Sequence, residues 1–242
     1  MKIEARRKER SIVFEDRVEA GKFLAKELVK RKYERPIVVA LPRGGVPVGF
    51  EVAKALKAPL EVLVSRKIGT PHNSEFGIGA IAEEGIRVFD TQTIKLFGVS
   101  KKELAKVIRK EKEELARRVA LYRNNKSLAS LKNRTLILVD DGLATGVTAR
   151  AAIAAIKKKT CLPAGRKPKQ IIFASPVCEY DTSKKFKFLV DKVICLTTPV
   201  DFAAVGAWYR NFEQVSDEEV VAILRKSKIR ERSTRELQHR RA

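Results

Sequence analysis

The 242-residue sequence predicts an α/β domain: a doubly wound, mostly parallel five-stranded sheet with a small hairpin beside it. Three observations predict it. Five short, largely apolar runs recur along the chain, at 37–41, 60–65, 136–139, 171–174 and 193–196. Continuous apolar runs of that length suit strands buried on both faces. Between them lie segments with apolar residues at helical spacing, and alternation of the two types is the signature of parallel sheets.

The elements follow in order. Asp16 and Glu19 form a cap-like pair ahead of Val18, Leu24 and Leu28, and Pro36 ends that helix. Strand 37–41 breaks at Pro42-Arg43-Gly44-Gly45. A helix over 46–56 and a strand over 60–65 come next. Residues 66–79, RKIGTPHNSEFGIG, read as a long loop. Segments 80–82 and 86–89 flank Glu83-Glu84-Gly85 as a hairpin. Ser100 and Glu103 make a capping box for a long helix to about residue 122, with Leu104, Val107, Ile108, Leu115 and Val119 on one face. That face suits either a core or a subunit interface. The third strand, 136–139, leads through a loop at 140–148 into a helix ending near 158. Strands 171–174 and 193–196 bracket a helical stretch near 181–188. Ser216 and Glu219 cap the last helix, followed by a charged tail.

Composition narrows the class. No apolar run approaches the roughly 20 residues a membrane helix needs, and the charged first ten residues do not read as a secretory signal. A cytoplasmic protein is the expectation. Cys161, Cys178 and Cys195 match no metal or redox spacing, so free structural thiols are expected. The net charge of +22 is concentrated at 1–10, 101–134, 157–169 and 225–242, which carry +3, +8, +6 and +6. Such segments are a solvated basic surface or a patch for a polyanion. Abundant Lys, Arg and Glu with a single Met also fit a hot-living source.

The chemistry concentrates at 136–148, LILVDDGLATGVT. An apolar strand ends in Asp140 and Asp141, then a small-residue turn, then a helix start. The carboxyl end of a parallel strand faces the ligand crevice. Ala144, Thr145, Gly146, Val147 and Thr148 offer backbone N–H groups, two hydroxyls and a helix N-terminus to a phosphate dianion. The acids, one step back, suit vicinal hydroxyls. Together they match a ribose 5-phosphate.

This segment resembles the phosphoribosyl pyrophosphate (PRPP) signature of type I phosphoribosyltransferases, with every defining position filled. The resemblance covers about residues 10–226 and is nearest a branch whose acceptor is unassigned. It implies that family's sheet with a flexible lid at 66–79 and an acceptor-binding hood at 201–219. It implies one domain over 1–226, with 227–242 a basic tail outside it. Arg43 and Gly44, in the PRGG turn, would bind pyrophosphate, with a cis peptide expected between them. Arg66 and Lys67 in the lid would assist departure of pyrophosphate. Asp140 and Asp141 would hold the ribose hydroxyls, and 144–148 the 5-phosphate. Phe202, Trp208 and Tyr209 are candidates to stack on the acceptor base, or else pack the last helix on the core. His72 in the lid is either an acid–base group or simply solvated.

The resemblance also implies a magnesium ion held mainly by PRPP, with Asp140 or Asp141 as its protein contacts. A homodimer is expected from the family. The implied reaction transfers the 5-phosphoribosyl group to a nitrogenous base. The fifth signature position, an Asp in 6-oxopurine enzymes, is Ala144 here, which argues against hypoxanthine or guanine. Two other readings stand beside it. One is a PRPP- or nucleotide-responsive regulator that binds nucleic acid through the basic segments. The other is a hydrolase of phosphoribosyl compounds, with water as acceptor.

Overall fold

The computed structural model describes residues 13–71, 77–160 and 167–239, with the side chains of residue 160 and of 232–239 left aside. His72, Cys161, the basic segment 1–10 and part of 157–169 lie outside the described residues.

Five parallel strands form the central sheet: β1 (Ile37–Ala40), β2 (Leu60–Val62), β6 (Thr135–Val139), β7 (Gln170–Val177) and β8 (Lys192–Thr197), in the order β2-β1-β6-β7-β8. Their alternation divides the core in two. Val38, Ala40, Ile137, Val139, Ile172 and Ala174 face the cluster containing α1 (Arg17–Leu28), α2 (Gly45–Ala55) and α7 (Asp217–His239). Ile37, Val39, Leu136, Leu138, Ile171 and Phe173 face α5 (Val147–Thr160) on the opposite side. Both faces of β1, β6 and β7 are buried, which is why these strands read as unbroken apolar runs.

The caps sit where the sequence placed them. Asp16 accepts from the Glu19 amide at 2.7 Å. Ser100 and Glu103 close the capping box of α4 (Lys101–Arg123). Ser216 and Glu219 exchange the same pair of bonds at the start of α7.

Several expectations change. Segment 66–79 is not simply a loop: its flanks are strands β3 (Ser65–Gly69) and β4 (Gly77–Ala82), antiparallel and joined to β5 (Ile86–Phe89) in a second sheet. Ile68, Ile78 and Ile81 are buried against α4, which gives the arms an apolar face that the glycines obscured. A short helix, α3 (Thr91–Leu96), capped by Asp90, was not expected. The boundary at 226 falls inside α7. Ser227 is buried, and Arg230 donates to the Ala58 carbonyl at 2.9 Å, so the start of the basic segment is docked on the domain. Of the two readings of the α4 face, core and interface, the core contact is present: these residues pack against β3–β4 and the main core.

Cys178 and Cys195 form a disulfide, against the expectation of free thiols. Spacing conceals it. Parallel pairing of β7 with β8 aligns Val177 with Thr197 and brings cysteines 17 residues apart side by side. No helix among the described residues is long and apolar enough to cross a membrane.

Candidate active site

Asp140 and Asp141 follow β6 at its carboxyl end. The Asp141 amide donates to Asp140 Oδ1 at 2.9 Å, so the pair is locked by its own backbone. Burial pushes the Asp140 carboxyl well above the usual carboxylate range, and the neighbouring Asp141 charge pushes it further.

The PRGG turn meets these acids. Leu41 donates its amide to the Val139 carbonyl at 2.9 Å, so the two strand ends run out together. A Cβ on Gly44 would lie 2.0 Å from Asp141 Oδ2, and one on Gly45 would lie 2.8 Å from the Val139 carbonyl. Only glycine allows α2 to start that close to the acids. The cis peptide is Pro42–Arg43, one bond earlier than expected. Sequence composition does not distinguish adjacent bonds of one turn. Arg43 lies 3.9 Å from Asp217 at the start of α7. Asp217 also accepts from Tyr122 and, at 2.5 Å, from Arg117. Burial works to raise the Asp217 carboxyl, but these donors and the arginine charges hold it below its ordinary value.

Residues 144–148 bridge β6 and α5. The loop is seated on the segment after β7. Leu143 forms an isolated bridge with Cys178, and the Glu179 amide donates to the Leu143 carbonyl at 2.7 Å. Gly146 has φ +67°, and a Cβ there would lie 2.4 Å from the Phe186 ring of α6 (Tyr180–Phe186). Thr145 is exposed and Thr148 half-buried, while Val147 is buried. Of the two loop hydroxyls, that of Thr145 lies on the exposed residue, above a base closed by Gly146 and Val147.

The other predicted residues stand differently. Arg66 is held by Glu111 of α4, through Nε at 2.8 Å and Nη2 at 2.7 Å, rather than by the acids or the loop. Lys67 sits beside it on β3 and is exposed. Tyr209 is 5 % exposed and packs with Phe14, Ala20 and Val177. Its hydroxyl donates to the Asp141 carbonyl at 2.6 Å, and burial, then Asp141, raise its pKa. It thus supports the acid pair rather than offering a stacking face. Phe202 and Trp208 are half-buried against the same cluster.

One residue escaped the sequence reading. Arg17, the first residue of α1, places Nε 2.7 Å from Asp141 Oδ2. Its guanidinium carbon lies 3.9 Å from the Phe212 ring centre, and Nη1 donates to the Glu213 carbonyl at 2.7 Å. Nothing in the sequence signals a contact across 124 residues.

Two acids at a strand end, a glycine-tight turn against them and an amide-rich loop before a helix make a site suited to a sugar phosphate on a nucleotide-type α/β fold. Comparison with known proteins agrees on the family: residues 14–207 match the phosphoribosyl transferase domain, and the chain belongs to that family. It is 42 % identical over 212 residues to the Mycobacterium tuberculosis H37Rv protein named "Putative phosphoribosyl transferase Rv0571c". That match covers 88 % of this chain and 46 % of the relative, so the chain spans about half the length of the curated relatives it matches. The crystal structure of the protein TT1426 from Thermus thermophilus is 37 % identical, with a TM-score of 0.68, covering 88 % of this chain and 97 % of that one.

Proposed function

We propose that this chain binds magnesium–PRPP and transfers its 5-phosphoribosyl group to a nitrogen nucleophile, releasing pyrophosphate. The observation that carries the reading is the close approach of the Gly44–Gly45 turn to Asp140 and Asp141, the acids that lead into the 144–148 loop. Asp141 and Asp140 accept from the ribose hydroxyls. Residues 144–148 hold the 5-phosphate through amides and the Thr145 and Thr148 hydroxyls. The Gly44 turn and Arg43 receive the pyrophosphate. The bond from C1 of the ribose to the pyrophosphate oxygen breaks as the acceptor nitrogen approaches C1. The electron pair leaves with pyrophosphate, and an oxocarbenium-like charge develops on the ring. The protein's task is therefore positioning and charge stabilisation.

Magnesium fits the donor chemistry. Among the described residues no group of three or more His, Cys, Asp and Glu side chains converges on one point. Two carboxylates beside a substrate rich in phosphate oxygens are the donors magnesium prefers. When bound, the ion neutralises the leaving pyrophosphate. Arg66 and Lys67 contribute only if the β3–β4 arms rearrange and Arg66 leaves Glu111. Phe202 and Trp208 remain the acceptor-side candidates. A cytoplasmic location and a dimer belong to the same reading.

The test is pyrophosphate release from magnesium–PRPP with a panel of purine and pyrimidine bases. Release with one base establishes the reaction and its acceptor. No binding of PRPP at millimolar concentration overturns it. Asp141→Asn is expected to weaken PRPP binding by roughly tenfold or more, since a charge-assisted bond is lost; calorimetry reads this directly.

A further inference from the structure

Asp141 is gripped from two sides, by Tyr209 of the hood and by Arg17 at the start of α1. Tyr209 donates to its backbone carbonyl, and Arg17 pairs with its carboxylate. The Arg17 and Asp141 side chains are only 11 % and 15 % exposed, so water screens this pair little. Arg17 spends its remaining contacts on the hood: the Phe212 face and the Glu213 carbonyl. Beside its anchor at Asp217, the hood is tethered by a backbone strap to the segment just before α1. Phe14 donates to the Trp208 carbonyl at 2.9 Å, and the Arg210 and Asn211 amides donate to the Phe14 and Glu15 carbonyls, each at 2.9 Å. Arg17 lies two residues beyond that strap.

From these contacts we infer that Arg17 is a positioning residue that couples the Asp140–Asp141 pair to the hood, so that occupation of the sugar site alters the closure of the acceptor side. The physical basis is competition for one carboxylate. Asp141 Oδ2 holds the Arg17 Nε–H at 2.7 Å. A ligand hydroxyl that donates to the same carboxylate changes what Arg17 receives there. Arg17 then shifts its balance toward Phe212 and Glu213. A guanidinium does this well: its donors point along fixed, separate directions, while its flat face stacks on an aromatic ring. The ligand side of this inference rests on the PRPP reading; the coupling itself does not.

The test is therefore a double-mutant cycle on the unliganded full chain, read by hydrogen exchange at the Arg210 and Asn211 amides. Arg17→Met and Asp141→Asn are each expected to speed exchange there by roughly tenfold, the order measured for coupled contacting residues. The double variant should add little beyond either single one. Arg17→Lys, which keeps charge and reach but not the fork, should recover part of the protection. Multiplicative effects in the double variant, or no change in Arg17→Met, overturn the inference. A merely structural role for Arg17 would show no dependence on Asp141 and no recovery by Lys. Melting temperatures of all four proteins guard against general unfolding. Magnesium–PRPP is then added. Slower exchange in the parent and not in Arg17→Met supports both readings. Calorimetry is run on the same samples. No response of a parent that binds PRPP overturns the link from sugar site to hood. A non-additive cycle with no PRPP binding at millimolar concentration leaves the coupling standing and overturns the PRPP reading.

Discussion

The two regions flanking Asp141 are built by opposite means. The 144–148 loop is seated on backbone: an isolated bridge from Leu143 to Cys178, amide bonds from the sheet, and Gly146 closed onto Phe186. The hood is seated on side chains and a short strap: Tyr209, Arg17, the Phe14 pairing and, at its far end, Asp217 among Arg117 and Tyr122. A backbone seat depends little on side-chain identity, except where a side chain must be absent, as at Gly146. A side-chain seat can be rebuilt by substitution. Under the proposed function, the sugar phosphate falls to the backbone-seated half and the acceptor to the half that substitution can rebuild.

The largest expected effect attacks the rigid half. Gly146→Ala forces a methyl 2.4 Å from Phe186 at φ +67°, so it should cost about 3 kcal/mol of stability, read by denaturant unfolding. Retention of full stability would show that the loop is less firmly seated than the contacts indicate.

Removing the disulfide comes next. Cys195→Ser opens a crosslink spanning 17 residues, for which chain entropy predicts a loss of about 3 kcal/mol. Cys178 adjoins the seat of the loop, so hydrogen exchange should rise more at 143–148 than at 210–211. Equal rises would erase the contrast between the two halves.

Tyr209→Phe tests the hood alone. It deletes one hydrogen bond to the Asp141 carbonyl while keeping the ring in place, and should cost about 1 kcal/mol. Trp208, the single tryptophan, reports the change by its emission. An unchanged emission spectrum would argue that the hood does not depend on that bond.

Acid pH gives the smallest expected effect. Hydrogen bonding from Arg117, then from Arg118, lowers the Glu114 carboxyl to about 2, against an ordinary value of 4.5. Asp217 is lowered as well. Carboxyls whose folded pKa is depressed contribute stability that is complete above about pH 4.5 and is lost as pH falls toward about 2. These two groups anchor the start of α7, so the hood end should loosen first on acidification. Glu114→Gln should flatten that part of the profile, measured by Tm against pH.

How much the sequence revealed follows the same division. The loop was legible because its chemistry is contiguous: strand, two acids, small residues and helix lie within thirteen positions. The helix caps were legible for the same reason, each being a bond between residues three apart. The strand arms of the lid were hidden by Gly69, Gly77 and Gly79, whose local preference is overridden by pairing and by burial of Ile68 and Ile78.

By itself, then, the sequence determined the central parallel sheet, the helices α1, α2, α4, α5 and α7 around it, and the strand–acid–turn–helix order of 136–148, because period and short-range spacing encode local geometry. Tertiary structure alone decided the disulfide, the pairing of Arg66 with Glu111, the role of Tyr209 as a prop and the Arg17 contact with Asp141. Each joins residues from 17 to 124 positions apart, and only the folded path of the backbone brings such partners within bonding distance.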